Sequence, residues 1–338
     1  MLKWIEGFED YSTGAVSYAT MLRRYALVNT SDWYAQIVAG RVAGYAIRLY
    51  AGNGWIQSGA ITADATITVG FAFQPQTLGN YVICDLYDGA TRGMNLRLTA
   101  AGELAVYRGT TLLETTSGLG LSQLAWYYIE FQVVCNTSTG SYEVRVNTVD
   151  VASDSGLDTK EGSNDYHDRF RITAAPDSYF DDLYVCDGSG SLNNDFLGPC
   201  RVVQCLPTGD SSVNWSTVYP GSTDHYADVD DGAVSDDDTT YVEDDTTGHR
   251  DLFTYANTSV LSTVFGVAIN TTCRVTDVNS VDLKTVISSN GTVATSNAET
   301  ISNTSYSIHS YISETDPETS NGWHLDDLSA ALFGIEVG

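Results

Sequence analysis

The chain has 338 residues, 16 Lys and Arg against 43 Asp and Glu (net charge −27), and 43% hydrophobic and 11% aromatic residues. That length suits two ordinary domains, and the apolar content supplies a core and argues against disorder. The acidic field repels nucleic acid, and no apolar run reaches the roughly 18 residues of a membrane-crossing helix, so neither nucleic acid nor membrane is an expected partner.

The opening Met1-Leu2-Lys3-Trp4-Ile5-Glu6-Gly7-Phe8-Glu9-Asp10 has one Lys, no apolar stretch and no small-residue cleavage site. No signal-peptide export is expected from it. Residues 17–25 form a helix candidate, with Ser17 as N-cap. Strand patterns follow at short intervals. Residues 45–50 alternate. Residues 66–73 put Ile67, Val69, Phe71 and Phe73 on one face and Thr66, Thr68, Gly70 and Ala72 on the other. Residues 81–86, 95–99 and 104–108 are shorter strands, separated by Asp88-Gly89 and Ala101-Gly102 turns. Residues 126–134 give the strongest pattern: Tyr127, Ile129, Phe131 and Val133 point one way, and Trp126, Tyr128, Glu130 and Gln132 the other. Residues 142–146 return as its hairpin partner. A period of two throughout predicts an all-β fold, and many short strands predict a two-sheet sandwich.

Residues 178–203 read as a strand, a Gly/Ser/Asn turn and a second strand, the hinge of the chain. Beyond it, residues 201–206 read as a strand stopped by Pro207. Between Asp224 and Asp245 lie ten acidic residues and no Lys or Arg. Strands resume at 264–270, 282–288 and 306–313, and residues 326–332 form a short helix candidate. The division expected is 1–197 and 198–338.

Cys84, Cys135, Cys186, Cys200, Cys205 and Cys273 include no C-x-x-C pair and no Cys/His pair at zinc spacing, so buried reduced thiols are expected. Asp181, Asp182, Asp187 and Asp195 are oxygen donors of the kind Ca²⁺ takes, without EF-hand spacing; the competing reading is solvated turn carboxylates, and no other cofactor is expected. Trp33, Trp55, Trp126 and Tyr128 are candidates for stacking on a glycan or packing at a subunit interface. Two carboxylates flanking one glycosidic bond, a Glu-x-Asp-x-x-Glu arrangement, do not occur, and Glu130 is expected to pair with Arg145 across the hairpin. The five histidines lack a Ser or Cys nucleophile pattern. No catalytic residue is expected, and the chain is read as not an enzyme.

Several segments resemble a known family. Glu6-Gly7-Phe8-Glu9-Asp10-Tyr11, residues 39–49, Val69-Gly70-Phe71-Ala72-Phe73, residues 104–109, 126–134 and 179–185 are similar to the concanavalin-A-like (laminin-G-like) jelly-roll domains of tailed-bacteriophage virion proteins. Residues 193–198, 201–203, 207–210, 236–242, 248–253 and 314–317 and Trp323 resemble the following part of such proteins, in the same order. The resemblance implies a concanavalin-A-like jelly-roll sandwich followed by a smaller β-sandwich domain. It also implies a protein made in a bacterial host cytoplasm and placed on the virion, a capsid decoration (cement) or head-fibre protein. The implied partners are the major capsid protein or neighbouring virion subunits, with homo-oligomerisation as a trimer. A tail or receptor-binding protein, or a carbohydrate-binding module with a glycan partner, is the alternative.

Overall fold

The computed structural model describes residues 1–29, 34–50, 54–174, 177–256 and 263–338. The chain divides into two compact units, Met1–Val202 and Val203–Gly338. Both are built almost wholly of antiparallel strands. Among the described residues no helix is long and apolar enough to cross a membrane.

The first unit is a jelly-roll sandwich. Its larger sheet runs in the order Val149–Leu157, Gly140–Val146, Tyr127–Val134, Thr66–Pro75, Asp177–Asp187, Tyr45–Tyr50, Ala35–Ala39 and Gly14–Ala15. A ninth strand, Leu2–Glu6, pairs with the far half of Asp177–Asp187. The facing seven-stranded sheet runs Thr111–Thr115, Leu104–Arg108, Thr91–Leu98, Tyr81–Asp88, Arg169–Ala174, Gly54–Gln57 and Leu27–Asn29. The period-two pattern sets what lies between them. Ile129, Phe131 and Val133 stand opposite Phe71, Val69 and Ile67 in the ladder, and all six are fully buried. Phe180 closes the aromatic centre, its ring 5.7 Å from Phe71 and 5.3 Å from Phe73. Met94, Leu96, Leu104, Val106, Phe170, Ile172 and Ile56 come from the other sheet. Each such side chain contributes roughly 1.5–3 kcal/mol on burial.

The middle of the larger sheet is also covered on its outer side, for a different reason. Residues 195–202 lie back across it. Glu130 Oε1 accepts from the Tyr184 hydroxyl (2.5 Å) and from Gly198 N (2.8 Å), and Leu197 N donates to the same hydroxyl. Gln132 Nε2 donates to Asp195, Cys186 Sγ to Asp195 O, Arg41 to Cys200 O, and Val202 N to Asp182 Oδ1. Gly70 is needed beneath this layer: a Cβ there would fall 2.1 Å from the Tyr184 ring.

These bonds explain why the first unit ends at Val202 and not at 197. They also account for the missing strand at 201–206, whose backbone is engaged by side chains or irregular. The strand begins instead at Pro207, the residue expected to stop one; it is the first residue of an edge strand, where a missing N–H costs no ladder bond. The Ser17-capped helix is present as Tyr18–Leu22, with Ser17 Oγ accepting from Thr20 N.

The second unit centres on a six-stranded sheet in the order Pro207–Val213, Arg250–Tyr255, Leu332–Val337, Val281–Ser289 and Thr292–Thr295, with Glu299–Ile301 also pairing to Val281–Ser289. The ribbon of Val267–Cys273 and Ser307–Ser313 packs on it through Val267, Ile269 and Tyr311, against Ile287, Trp323 and Phe333. A second ribbon joins Thr217–Tyr219 to Tyr241–Glu243, where Tyr219 stacks on Tyr241 at 5.1 Å. The acidic stretch 224–245 supplies Tyr241–Glu243 and one short turn of helix, His225–Asp228.

Candidate functional site

The candidate site is the outer face of the seven-stranded sheet. Strand pairing aligns Tyr107 with Asn95, Asn95 with Asp85, Asp85 with Arg171, Arg171 with Gln57 and Gln57 with Leu27. One cross-strand row therefore carries an aromatic, an amide, a carboxylate, a guanidinium and a second amide. The residues beside them in sequence, Leu96, Leu86, Phe170, Ile172 and Ile56, point inward and are fully buried, which fixes the row as the opposite face.

The floor is polar and dry. Asn95 is 0%, Asp85 1% and Gln57 3% exposed. Asn95 Nδ2 donates to Gly109 O, and Gln57 Oε1 accepts from Arg171 Nε (2.9 Å) and NH2 (2.6 Å). Asp85 Oδ1 accepts from Arg92 Nε at 2.5 Å, while its Oδ2 is buried without a donor among the described residues. Burial pushes the Asp85 carboxyl above its usual range, although Arg92, Arg171 and Arg97 pull it down.

Above the floor, cations alternate with rings. Arg171 lies between Trp55, 3.9 Å from the ring centroid, and Tyr87, 4.6 Å away. Arg97 lies 3.8 Å over Tyr107 and donates to Asn95 Oδ1. Stacking on aromatic faces holds these guanidiniums in fixed planes. Burial lowers the pKa of Arg97 and of Arg171, and the like charge of Arg92 adds to the lowering at Arg97; both remain cations. The arrangement can hydrogen-bond hydroxyls, present ring edges and faces to a sugar, and take negative charge.

The sequence-based candidates fall in different places. Trp55 is part of this face. Trp126 stands on the larger sheet, 6.4 Å from the Tyr179 ring. Tyr128 is 2% exposed, with its hydroxyl donating to Asp182 O, so it is no platform. Trp33 lies outside the described residues. Trp55, Trp126 and Tyr128 thus form no common surface.

The four proposed calcium ligands are likewise taken by other partners. Asp181 and Asp182 sit in a bulge whose Asp182 has φ 48°; Arg41 NH2 lies 2.7 Å from Asp182 Oδ2, and Asp181 accepts from the Arg41 and Asp182 amides. Burial, helped by the Asp182 charge, pushes the Asp181 carboxyl up to about 8. Asp187 pairs with Lys3 at 3.1 Å and accepts from Thr62 and Ser189. Asp195 is exposed and accepts from Gln132. Among the described residues no cluster of three His, Cys, Asp or Glu could hold a metal ion.

Glu130 and Arg145 do stand opposite each other, but Arg145 pairs with Glu143 at 2.6 Å and stacks on Phe196, while Glu130 serves Tyr184 and Gly198. All six cysteines are free. The residues that sequence reasoning missed, Gln57, Asp85, Arg92, Asn95, Arg97, Tyr107 and Arg171, had one local signal. Arg92 with Arg97 and Arg169 with Arg171 are cations close together in sequence, in a chain with 16 cations among 338 residues.

No protein-family model matches the sequence, and no curated protein does. Among solved structures, the chain is similar to the endo-β-1,4-glucuronan lyase of Trichoderma reesei, at 12% identity and TM-score 0.39, over 52% of this chain and 93% of that one. It is similar to the alginate lyase Aly36B in complex with alginate tetrasaccharide, at 14% identity and TM-score 0.42, over 54% and 95%. It is also similar to domain 4 of the arabinanase AbnA of Geobacillus stearothermophilus in complex with arabinotriose, at 15% identity and TM-score 0.39, over 54% and 91%. The likeness is one of β-sandwich fold. The chains that carry it are carbohydrate-active, and none of these three is a virion protein. Since polysaccharide lyases and an arabinanase stand among them, the expectation that the chain is not an enzyme is withdrawn.

Proposed function

We propose that the chain binds carbohydrate through the outer face of its seven-stranded sheet. The observation that carries this is the cross-strand row from Tyr107 to Gln57, with Trp55 and Tyr87 beside it. Saccharide sites combine ring surfaces for C–H faces with a few fixed polar groups for hydroxyls, and this face has both on a rigid ladder.

Affinity electrophoresis and a glycan array test the proposal. Trp55→Ala, which removes ring surface, and Gln57→Ala, which removes the acceptor that holds Arg171, each reduce affinity about tenfold, or roughly 1.4 kcal/mol. Trp126→Ala, on the other sheet, leaves it unchanged. Absence of binding to every saccharide, or loss with Trp126→Ala alone, overturns the reading. A reducing-end assay on the bound polymers reports whether binding leads to cleavage. The sequence resemblance adds a setting, receptor or surface binding on a virion. Labelling intact particles tests that setting: signal at the tail tip or head surface supports it, and absence of the chain from particles overturns it.

A further inference from the structure

We infer that this face selects carbohydrate polymers bearing carboxylates, held by Arg92, Arg97 and Arg171, over neutral ones. The inference rests on the carbohydrate-binding reading above and narrows its ligand class.

The first ground is local charge. The chain carries −27 overall, yet three of its sixteen cations meet over one aspartate. Arg92 pairs with Asp85 at 2.5 Å, and Asp85 also attracts Arg171 and Arg97, neither of which has an ion pair of its own among the described residues. Asp85 is thus the one carboxylate that the three share, which leaves an excess of two positive charges.

The second ground is unused donors. Arg92 uses Nε on Asp85, Arg171 uses Nε and NH2 on Gln57, and Arg97 uses Nε on Asn95 and NH2 on Gly109 O at 3.4 Å. Each guanidinium therefore keeps an NH1 group without an acceptor among the described residues, and Arg92 keeps NH2 as well. The Arg92 side chain is 36% exposed, so its free edge is open to a ligand.

The third ground is geometry. Arg171, held between Trp55 and Tyr87, and Arg97, stacked on Tyr107, lose little further freedom on binding, and the planar guanidinium fork matches a carboxylate. A neutral sugar leaves those donors to water. A ligand without negative charge also gains nothing from three cations gathered over one aspartate.

The experiment compares the intact protein with five polymers: polygalacturonate, alginate, carboxyl-reduced polygalacturonate, dextran and dextran sulfate. Binding to the two carboxylated polymers, falling at least tenfold on carboxyl reduction and tenfold or more in Arg97→Gln or Arg171→Gln, supports the inference. Arg171→Lys keeps the charge but loses the fork, and recovers part of the loss only. Thermal unfolding of each variant checks that the fold persists, and Arg92→Gln, at a side chain that is 36% exposed, serves if either of the others unfolds. Equal binding to carboxyl-reduced polymer or dextran overturns the inference and leaves the carbohydrate-binding reading intact. Dextran sulfate bound as tightly as polygalacturonate overturns the carboxylate preference. No binding to any of the five, together with a blank glycan array, overturns both.

Discussion

Protonation of His167 is expected to make the first unit acid-labile. Its imidazole is 1% exposed and touches Gly93 so closely that a Cβ there would fall 2.1 Å from Nε2. Nε2 accepts from Met94 N at 3.4 Å, while Nδ1 is buried without a partner among the described residues. Burial lowers its pKa from the ordinary 6.5 to about 4, against the pull of Asp88. Between those values the unfolded chain holds a proton that the folded chain does not. Stability is therefore complete above pH 6.5 and is lost as pH falls towards 4. A gap of about 2.5 units at 1.4 kcal/mol each gives about 3.5 kcal/mol. Urea unfolding at pH 7, 6, 5 and 4.5 measures it, with His167→Gln as reference, because Gln accepts from Met94 N without titrating. The stability difference between the two proteins should move by about 1.4 kcal/mol per pH unit in the variant's favour as pH falls. A difference that stays constant from pH 7 to 4.5, or an imidazole seen by NMR to titrate near 6.5, refutes the reasoning.

Asp181 should act with the opposite pH trend: held protonated up to about 8, it makes the fold less stable as pH rises from 4 towards 8, by up to about 1.4 kcal/mol per unit. Asp181→Asn removes that slope in the same urea series, while adding a pH-independent loss for the amide that no longer finds an acceptor. Phe180→Ala opens a cavity between Phe71 and Phe73 and should cost about 3–5 kcal/mol by chemical denaturation. A chain ending at 197 should unfold at lower denaturant than one ending at 202, because Asp182 then loses the Val202 amide and Glu130 loses Gly198; equal midpoints would show that those bonds add nothing.

The sandwich was legible because each strand carries two unlike faces. Ile67, Val69, Phe71 and Phe73 announce a buried side whatever they pair with, and the same holds for Tyr127, Ile129, Phe131 and Val133. The site was not legible, because its members sit at 57, 85, 95, 107 and 171, and only long-range pairing aligns them. Tyr128 shows the complementary failure. Its outward direction follows from alternation, but nothing local tells that residues 195–202 return to cover that side. The partners of the acidic candidates were hidden for a related reason: composition counts carboxylates but not the Arg41, Lys3 and Thr62 that bond to them.

The chain leaving the first unit does so through a clasp. Val202 is fastened to Asp182, Cys200 to Arg41, and Gly198 to Glu130, so the exit path is bolted crosswise to several strands before it reaches residue 203. Tension applied along the polypeptide from the second unit would meet these side-chain fasteners first and would have to strip them one after another. The strand ladders behind them would be loaded only afterwards. The sandwich is thereby shielded from pulling, and under force the first extension expected is the release of some seven residues with the aromatic core intact.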